Sequence, residues 1–156
     1  MLEDRDIPGI FQKLIESHDL APDQLRIEIT ETAYVETPEL LIQTTLKLRE
    51  FGFQVEMDDF GSGYSSLHML KEVPVDRIKL DLYFLTETGD QEKGDIIINY
   101  MIQMAQAMGM TLIAEGVETL EQAQSLLEQG CLEMQGFYFF KPMEVEAFEK
   151  IDAERF

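Results

Sequence analysis

The chain carries little positive charge for its size. Its 156 residues hold 12 Lys and Arg against 31 Asp and Glu, a formal net charge of −19 at pH 7. A surface of that sign repels phosphate backbones, so duplex and single-stranded nucleic acids are poor partners. A small anionic ligand remains compatible where metal ions or a local Lys reverse the field. Cysteine is limited to Cys131, which cannot form an internal disulfide, and a reducing compartment is the simple inference. The two histidines, His18 and His68, lack metal-ligand spacing and read as structural or exposed. No apolar run reaches the roughly 18 residues of a membrane span. Residues 1–6 show neither the basic segment nor the apolar core of a signal peptide. A soluble, cytoplasmic chain is the expectation. Linkers and low-complexity tracts are missing too, so residues 1–156 read as one domain, close to the common size of roughly 100–150 residues.

What the sequence does have is a hydrophobic share of 45%, with ten Phe and nine Met, enough for a real core. Alternating apolar and polar residues predict strands at 25–30, 53–58 and 77–81, a short strand at 111–114, and a mostly apolar one at 134–140. Between them, 3.6-residue spacing and end signals predict helices at 7–15, 40–49, 65–72, 95–108 and 119–129, with a terminal helix on Val145, Phe148 and Ile151. Residues 21–23 read as a loop and 86–93 as a polar spacer. Thr119 and Gln122 make a capping-box pattern. Five strands, each followed by a helix, mean a parallel sheet with right-handed crossovers. An open sheet would more often be apolar on both faces. Here Glu28, Asp58, Lys79 and Glu115 lie on polar faces near the carboxyl ends of four successive strands, as inward groups at the top of a (β/α) barrel would. A full barrel takes about eight strands and 250 residues. The expected fold class is therefore α/β, an incomplete TIM-like barrel of about five parallel strands.

The centre of the chain is Met57-Asp58-Asp59-Phe60-Gly61-Ser62-Gly63-Tyr64-Ser65-Ser66-Leu67. A strand ends there in two carboxylates and breaks into a Gly/Ser-rich turn. Vicinal carboxylates at a strand end suit a hard divalent cation. A solvated acidic turn is the plainer reading of a lone Asp-Asp pair, and the repetition of acidic strand ends along the chain argues against it. Three acidic positions and one Lys would make a two-metal hydrolase site, with Lys79 as fixed positive charge and Glu115 as ligand or base. Taken singly, each residue also has a structural reading. Glu28 can be a solvent-side strand residue, Lys79 a partner of Asp81 or Asp58, and Glu115 and Glu118 helix-dipole acids. Asp59-Phe60-Gly61 echoes a kinase motif, but no Gly-rich loop and strand Lys precede it.

The series Glu28-Ile29-Thr30-Glu31, Asp58 through Leu67, Pro74-Val75-Asp76 through Ile78-Lys79-Leu80-Asp81, Ala114 through Thr119, and Gln135-Gly136-Phe137-Tyr138 with Lys141-Pro142 resembles the EAL-domain family, the bacterial phosphodiesterases of the second messenger cyclic di-GMP. The resemblance covers nearly the whole chain, in the family's order. It implies a TIM-like barrel that hydrolyses cyclic di-GMP to linear pGpG with Mg²⁺ or Mn²⁺. It also implies that Glu28, Asp58, Asp59 and Glu115 hold metal, while Lys79 assists water and phosphate and Glu115 is a candidate base. Glu31 would anchor the loop carrying Phe60, Gly61, Ser62, Gly63, Tyr64 and Ser65, which the family links to substrate and dimer contacts. Glu118 and Gln135 would support the site. Homodimers and fusion to sensory or GGDEF domains are further implications.

The sequence departs from the family in two ways. The family's opening strand with Glu-Ala-Leu, and the next with a metal-binding Asn, are not among these residues. Leu2-Glu3-Asp4 resembles the segment just after the Asn strand, so the chain reads as the C-terminal portion of the domain. Glu56 shares a face with Asp58 where the family often has a small residue. The expectation is a fragment inactive or weak on its own, which self-associates to cover its open sides. Two readings from other classes stay open: a non-catalytic cyclic di-GMP-binding or dimerisation module, and an aldolase-like barrel with a Schiff base at Lys79.

Overall fold

The computed structural model describes residues 6–61, 66–82 and 91–151. The loop positions Ser62, Gly63, Tyr64 and Ser65, the segment Leu2-Glu3-Asp4 and residues 86–90 of the spacer lie outside the described residues. Helix α1 (Ile7–Ser17) starts at Asp6, whose carboxylate accepts from the Gly9 amide at 3.3 Å, satisfying one of the free donors of the first turn. A 3₁₀ turn (Pro22–Gln24) then leads into β1 (Arg26–Thr30). Next come α2 (Glu31–Glu36), α3 (Pro38–Glu50), β2 (Gln54–Asp58), α4 (Ser66–Glu72) and β3 (Arg77–Asp81). The described chain ends with α5 (Gln91–Ala107), β4 (Thr111–Glu115), α6 (Leu120–Glu128), β5 (Glu133–Gln135) and α7 (Val145–Phe148).

The five strands form one parallel sheet in the order β1-β2-β3-β4-β5. Its outer face meets the helices. Val55, Met57, Ile78 and Leu80 are buried there in one cluster with Leu48 of α3, Met69 of α4, Ile102 of α5 and Leu126 of α6. The inner face carries Arg26, Glu28, Glu56, Asp58, Arg77, Lys79, Glu115 and Glu133, at alternate positions to that apolar set. Glu56, Arg77 and Lys79 are nonetheless buried, which a flat one-layer sheet would not allow. Curling explains it. Arg26 on β1 comes within 3.9 Å of Glu133 on β5, whereas four flat inter-strand spacings of about 4.8 Å would hold their backbones roughly 19 Å apart. The sheet is a segment of barrel wall with its polar face inside, as the α/β reading expects. Among the described residues, β1 and β5 each pair with one neighbour.

Most predicted elements stand within a few residues of their expected bounds. The capping box forms: Thr119 Oγ1 accepts from the Gln122 amide at 3.2 Å, and Gln122 Oε1 accepts from the Thr119 amide at 3.1 Å. The clearest correction is β5. The apolar run 134–140 predicts one long strand, but pairing ends at Gln135 and the chain turns. Val117 causes this, donating its amide to Gln135 and accepting from the Tyr138 amide. A Cβ at Gly136 would lie 2.1 Å from the Val117 carbonyl oxygen, so only glycine permits the approach. Helix α2 is not anticipated, because six residues are too few to show a period. Helix α5 starts at Gln91, inside the expected spacer, and residues 22 and 23 of the expected loop fall in the 3₁₀ turn. In α4, Leu70 is buried and Leu67 is exposed.

Candidate active site

Four strands deliver one residue each to the carboxyl end of the curled sheet. Lys79 Nζ lies 2.6 Å from Glu28 Oε1, 3.0 Å from Asp58 Oδ1 and 3.1 Å from Glu115 Oε1. The lysine side chain is 8% exposed, while Asp58 and Glu115 are 22% and 18% exposed and Glu28 is half exposed. An ammonium therefore sits under a rim of three carboxylates that opens to solvent on the Glu28 side. Burial alone would lower the lysine pKa, but the hydrogen bonds that Lys79 donates to Glu28, Asp58 and Glu115 outweigh it and hold the pKa above its ordinary value. Burial pushes the Glu115 carboxyl up, against the opposing pull of Lys79.

The chain after β2 is shaped to present acids. Asp59 adopts φ 55°, the left-handed region that non-glycine residues seldom occupy and that recurs at functional sites. Asp59 is exposed and takes no part in the ion pairs around Lys79. The turn is pinned from beneath: the buried Phe60 donates its amide to the Lys79 carbonyl at 3.2 Å. Glu31 is buried in the first turn of α2, directly after β1. Gln135 and Glu118 line a cleft of about 280 Å³ together with Glu115 and Asp81. The structure thus gathers Glu28, Asp58, Lys79 and Glu115 tightly, sets Gln135 and Glu118 beside them, and leaves Asp59 on the rim.

A second charged layer lies one strand step below, and the sequence reading misses most of it. Arg77 forks onto Glu133, its Nη1 reaching Oε2 and its Nη2 lying 2.6 Å from Oε1. Glu56 Oε1 is 3.4 Å from Arg26 Nε and 3.7 Å from Arg77 Nε. Those distances pair charges, but this buried oxygen makes no aligned hydrogen bond. Burial pushes the Glu56 carboxyl up, partly offset by Arg26, Arg77 and Lys79. The Arg77 fork holds Glu133 below the ordinary carboxylate range. Glu56, a residue without an assigned role in the sequence, is the shared acid between two arginines. Its clue was the repeat at i−2: Arg26-x-Glu28, Glu56-x-Asp58, Arg77-x-Lys79.

Whether the upper layer suits a divalent cation depends on its donors. All are hard carboxylate oxygens, the set that Mg²⁺ and Mn²⁺ prefer, and three already converge on one cationic centre. Among the described residues, no group of three or more His, Cys, Asp or Glu is spaced to hold a metal ion. The residue types fit the ion, and Lys79 is the competing cation.

A family model described as "EAL domain" matches residues 1–142. The chain is similar to the cyclic di-GMP phosphodiesterase RocR of Pseudomonas aeruginosa, at 39% identity over 94% of this chain and 38% of that protein. It is similar to the cyclic di-GMP phosphodiesterase PdeR of Escherichia coli, at 35% identity over 96% of this chain and 22% of that protein. Among solved structures, the EAL domain of Mycobacterium smegmatis DcpA superposes with a TM-score of 0.86 at 36% identity, over 94% of this chain and 66% of that one. The chain spans less than two fifths of the length of the curated relatives it matches. Motifs, sheet order and these matches agree, and the chain belongs to the EAL-domain family.

Proposed function

We propose that the site is that of a metal-dependent cyclic di-GMP phosphodiesterase, cleaving one phosphodiester bond to give linear pGpG. The observation that carries this is the convergence of Glu28, Asp58 and Glu115 on Lys79 at 2.6–3.1 Å, in a family whose named relatives include phosphodiesterases of that nucleotide. Mg²⁺ or Mn²⁺, held by Glu28, Asp58, Asp59 and Glu115, would supply positive charge against the phosphodiester and acidify a water. Lys79 keeps its proton and acts as fixed charge on the phosphate and the attacking water. A permanently protonated lysine is a poor amine nucleophile, which argues against a Schiff base. Glu115, raised by burial, is poised as the base that takes the proton from water. Glu118 and Gln135 would support the site, Glu31 would anchor the loop that follows β2, and that loop's residues Phe60, Gly61, Ser62, Gly63, Tyr64 and Ser65 are the candidates for substrate and dimer contacts.

This chain by itself is weak or inactive. The Glu and Asn that the family carries on its opening strands are not among these residues, and the remaining carboxylates repel one another without both ions. Purified chain, Mn²⁺ and cyclic di-GMP are combined, with bound nucleotide and pGpG followed by chromatography. Binding with slow conversion, lost in Glu115→Ala, is expected. Absence of any nucleotide binding overturns the reading. Binding without conversion favours a non-catalytic sensing module, to which the position of Asp59 outside the Lys79 cluster already lends weight.

Self-association accompanies this reading. The β1 and β5 edges have single neighbours among the described residues, and the exposed Phe137, Met143, Val145 and Phe148 line a cavity with Gln135 of β5. Such edges and patches seek partners. Light scattering at micromolar concentration should give a dimer or larger, and a folded monomer refutes it.

A further inference from the structure

The lower layer stands in strict relation to the site. Arg26 precedes Glu28 by two residues, Glu56 precedes Asp58, Arg77 precedes Lys79 and Glu133 precedes Gln135. On a strand, residues two apart share a face, so whatever fixes one member of each pair fixes where the other points. We propose that Arg26, Glu56, Arg77 and Glu133 are positioning residues, a cross-brace that sets the curl of the sheet and so the spacing of Glu28, Asp58 and Glu115 around Lys79.

Backbone pairing holds each strand to its neighbour but leaves the curvature across several strands soft. The brace acts where pairing does not reach. The Arg77 fork joins β3 to β5 over the intervening β4. Arg26 joins β1 to β5, the two ends of the sheet. Glu56 joins β2 to both arginines, and its pair with Arg77 spans the thinnest ladder. Only Glu56↔Arg77 and Met57↔Ile78 register there, against five residue pairs between β1 and β2. A planar guanidinium on two carboxylate oxygens fixes orientation as well as distance, which a lysine or an apolar contact would not. Stability alone does not account for the buried charges of Glu56 and Arg77, because well-packed apolar residues of similar volume commonly serve as well or better. Geometry does.

The functional consequence rests on the phosphodiesterase reading, but the test of the brace does not. The full chain is examined by NMR without cation or nucleotide, reading solvent exchange of the Lys79 ammonium protons, assigned with Lys79→Arg. Arg77→Met combined with Glu133→Met removes the fork while keeping apolar bulk. It should melt cooperatively yet exchange the Lys79 ammonium measurably faster than wild type. Arg77→Lys keeps the charge and loses the fork. It carries the same test with the same expectation should the double variant fail to fold. A folded variant of either kind with wild-type Lys79 exchange overturns the proposal. Separately, Mn²⁺ affinity read by electron paramagnetic resonance should fall about ten- to a hundredfold in the folded variants. Wild-type protein that binds no Mn²⁺ counts against the phosphodiesterase reading and leaves the exchange result on the brace intact.

Discussion

Replacing Lys79 with Met removes the one cation at the centre of the site and leaves its three partners in place. Those carboxylates lie 2.6, 3.0 and 3.1 Å from Nζ, so their own separations are of the order of 4–5 Å. At an effective dielectric near 20, one like-charged pair at that distance repels by roughly 4 kcal/mol. Glu28 is half exposed and can swing into water, which discounts its share. The net cost should be that of breaking a buried charge cluster by deleting one partner, about 3–5 kcal/mol. For a chain of this length each kcal/mol moves the melting temperature by about 2–4 °C, so Lys79→Met should melt about 10 °C lower at pH 8 in EDTA. Lys79 has a raised pKa, so its stabilisation is fully present below the unfolded lysine value of about 10.4 and is lost only above it. The comparison at pH 8 therefore captures all of it. Two rescues should follow. Millimolar Mn²⁺ should restore several degrees by occupying the vacated centre, worth about 2.7 kcal/mol at a hundred times Kd. Acidification to pH 5 should narrow the gap, because burial raises the Glu115 carboxyl and its protonation relieves the repulsion. A variant that melts within about 2 °C of wild type at pH 8, with no response to Mn²⁺, refutes the claim that Lys79 holds this cluster together.

The remaining predictions probe other parts of the scaffold. Gly136→Ala puts a methyl group 2.1 Å from the Val117 carbonyl oxygen; it should lose about 3 kcal/mol or more, or fail to fold, by chemical denaturation. Glu133 has a lowered pKa through the Arg77 fork. Its contribution is present above the unfolded carboxylate value of about 4.3 and lost as pH falls through the folded one, so Glu133→Gln should flatten the acid limb of stability against pH. Tyr34 donates to Glu72 Oε2 at 2.5 Å and ties α2 to α4. Tyr34→Phe should melt below wild type, with α4 amides exchanging faster while the sheet core is unchanged.

The strand ends were legible because their chemistry recurs on the same face of each alternating strand. Glu28, Asp58, Lys79 and Glu115 each sit on the polar face of an alternating strand, and the period of two decides that they share a side. The helices between them forced the strands parallel, which brings the same ends together. Less legible was whatever depends on a contact distant in sequence. The apolar run after Met134 carries strand propensity through Phe140, but Val117, some twenty residues earlier, binds the backbone on both sides of Gly136 and ends the strand. Helix α2 holds through the burial of Glu31 and Tyr34, which no six-residue pattern announces. Glu56 was visible as an anomaly, an acid on the inner face with no evident partner. Its partners come from β1 and β3, so the sequence could place the residue without explaining it.

The two charged layers differ in balance, and the difference matters to function. The lower layer has two arginines against two glutamates and is neutral. The upper one has a single lysine against three carboxylates and is left two charges negative. On a chain with a net charge of −19 at pH 7, negative charge alone would not localise a cation, since counterions would spread over the surface. The neutral layer beneath removes any attraction deeper into the sheet, and the excess stays at the carboxyl ends, where Glu28 reaches solvent. A divalent ion arriving there would cancel the upper layer's deficit in one step. The anionic nucleotide would then meet a site whose field has been neutralised, with Lys79 still protonated behind it. If the site is that of the proposed phosphodiesterase, that order, cation before nucleotide, would make nucleotide binding depend on divalent ion. Titration of cyclic di-GMP in EDTA should show no binding, and appreciable affinity without any cation would refute it.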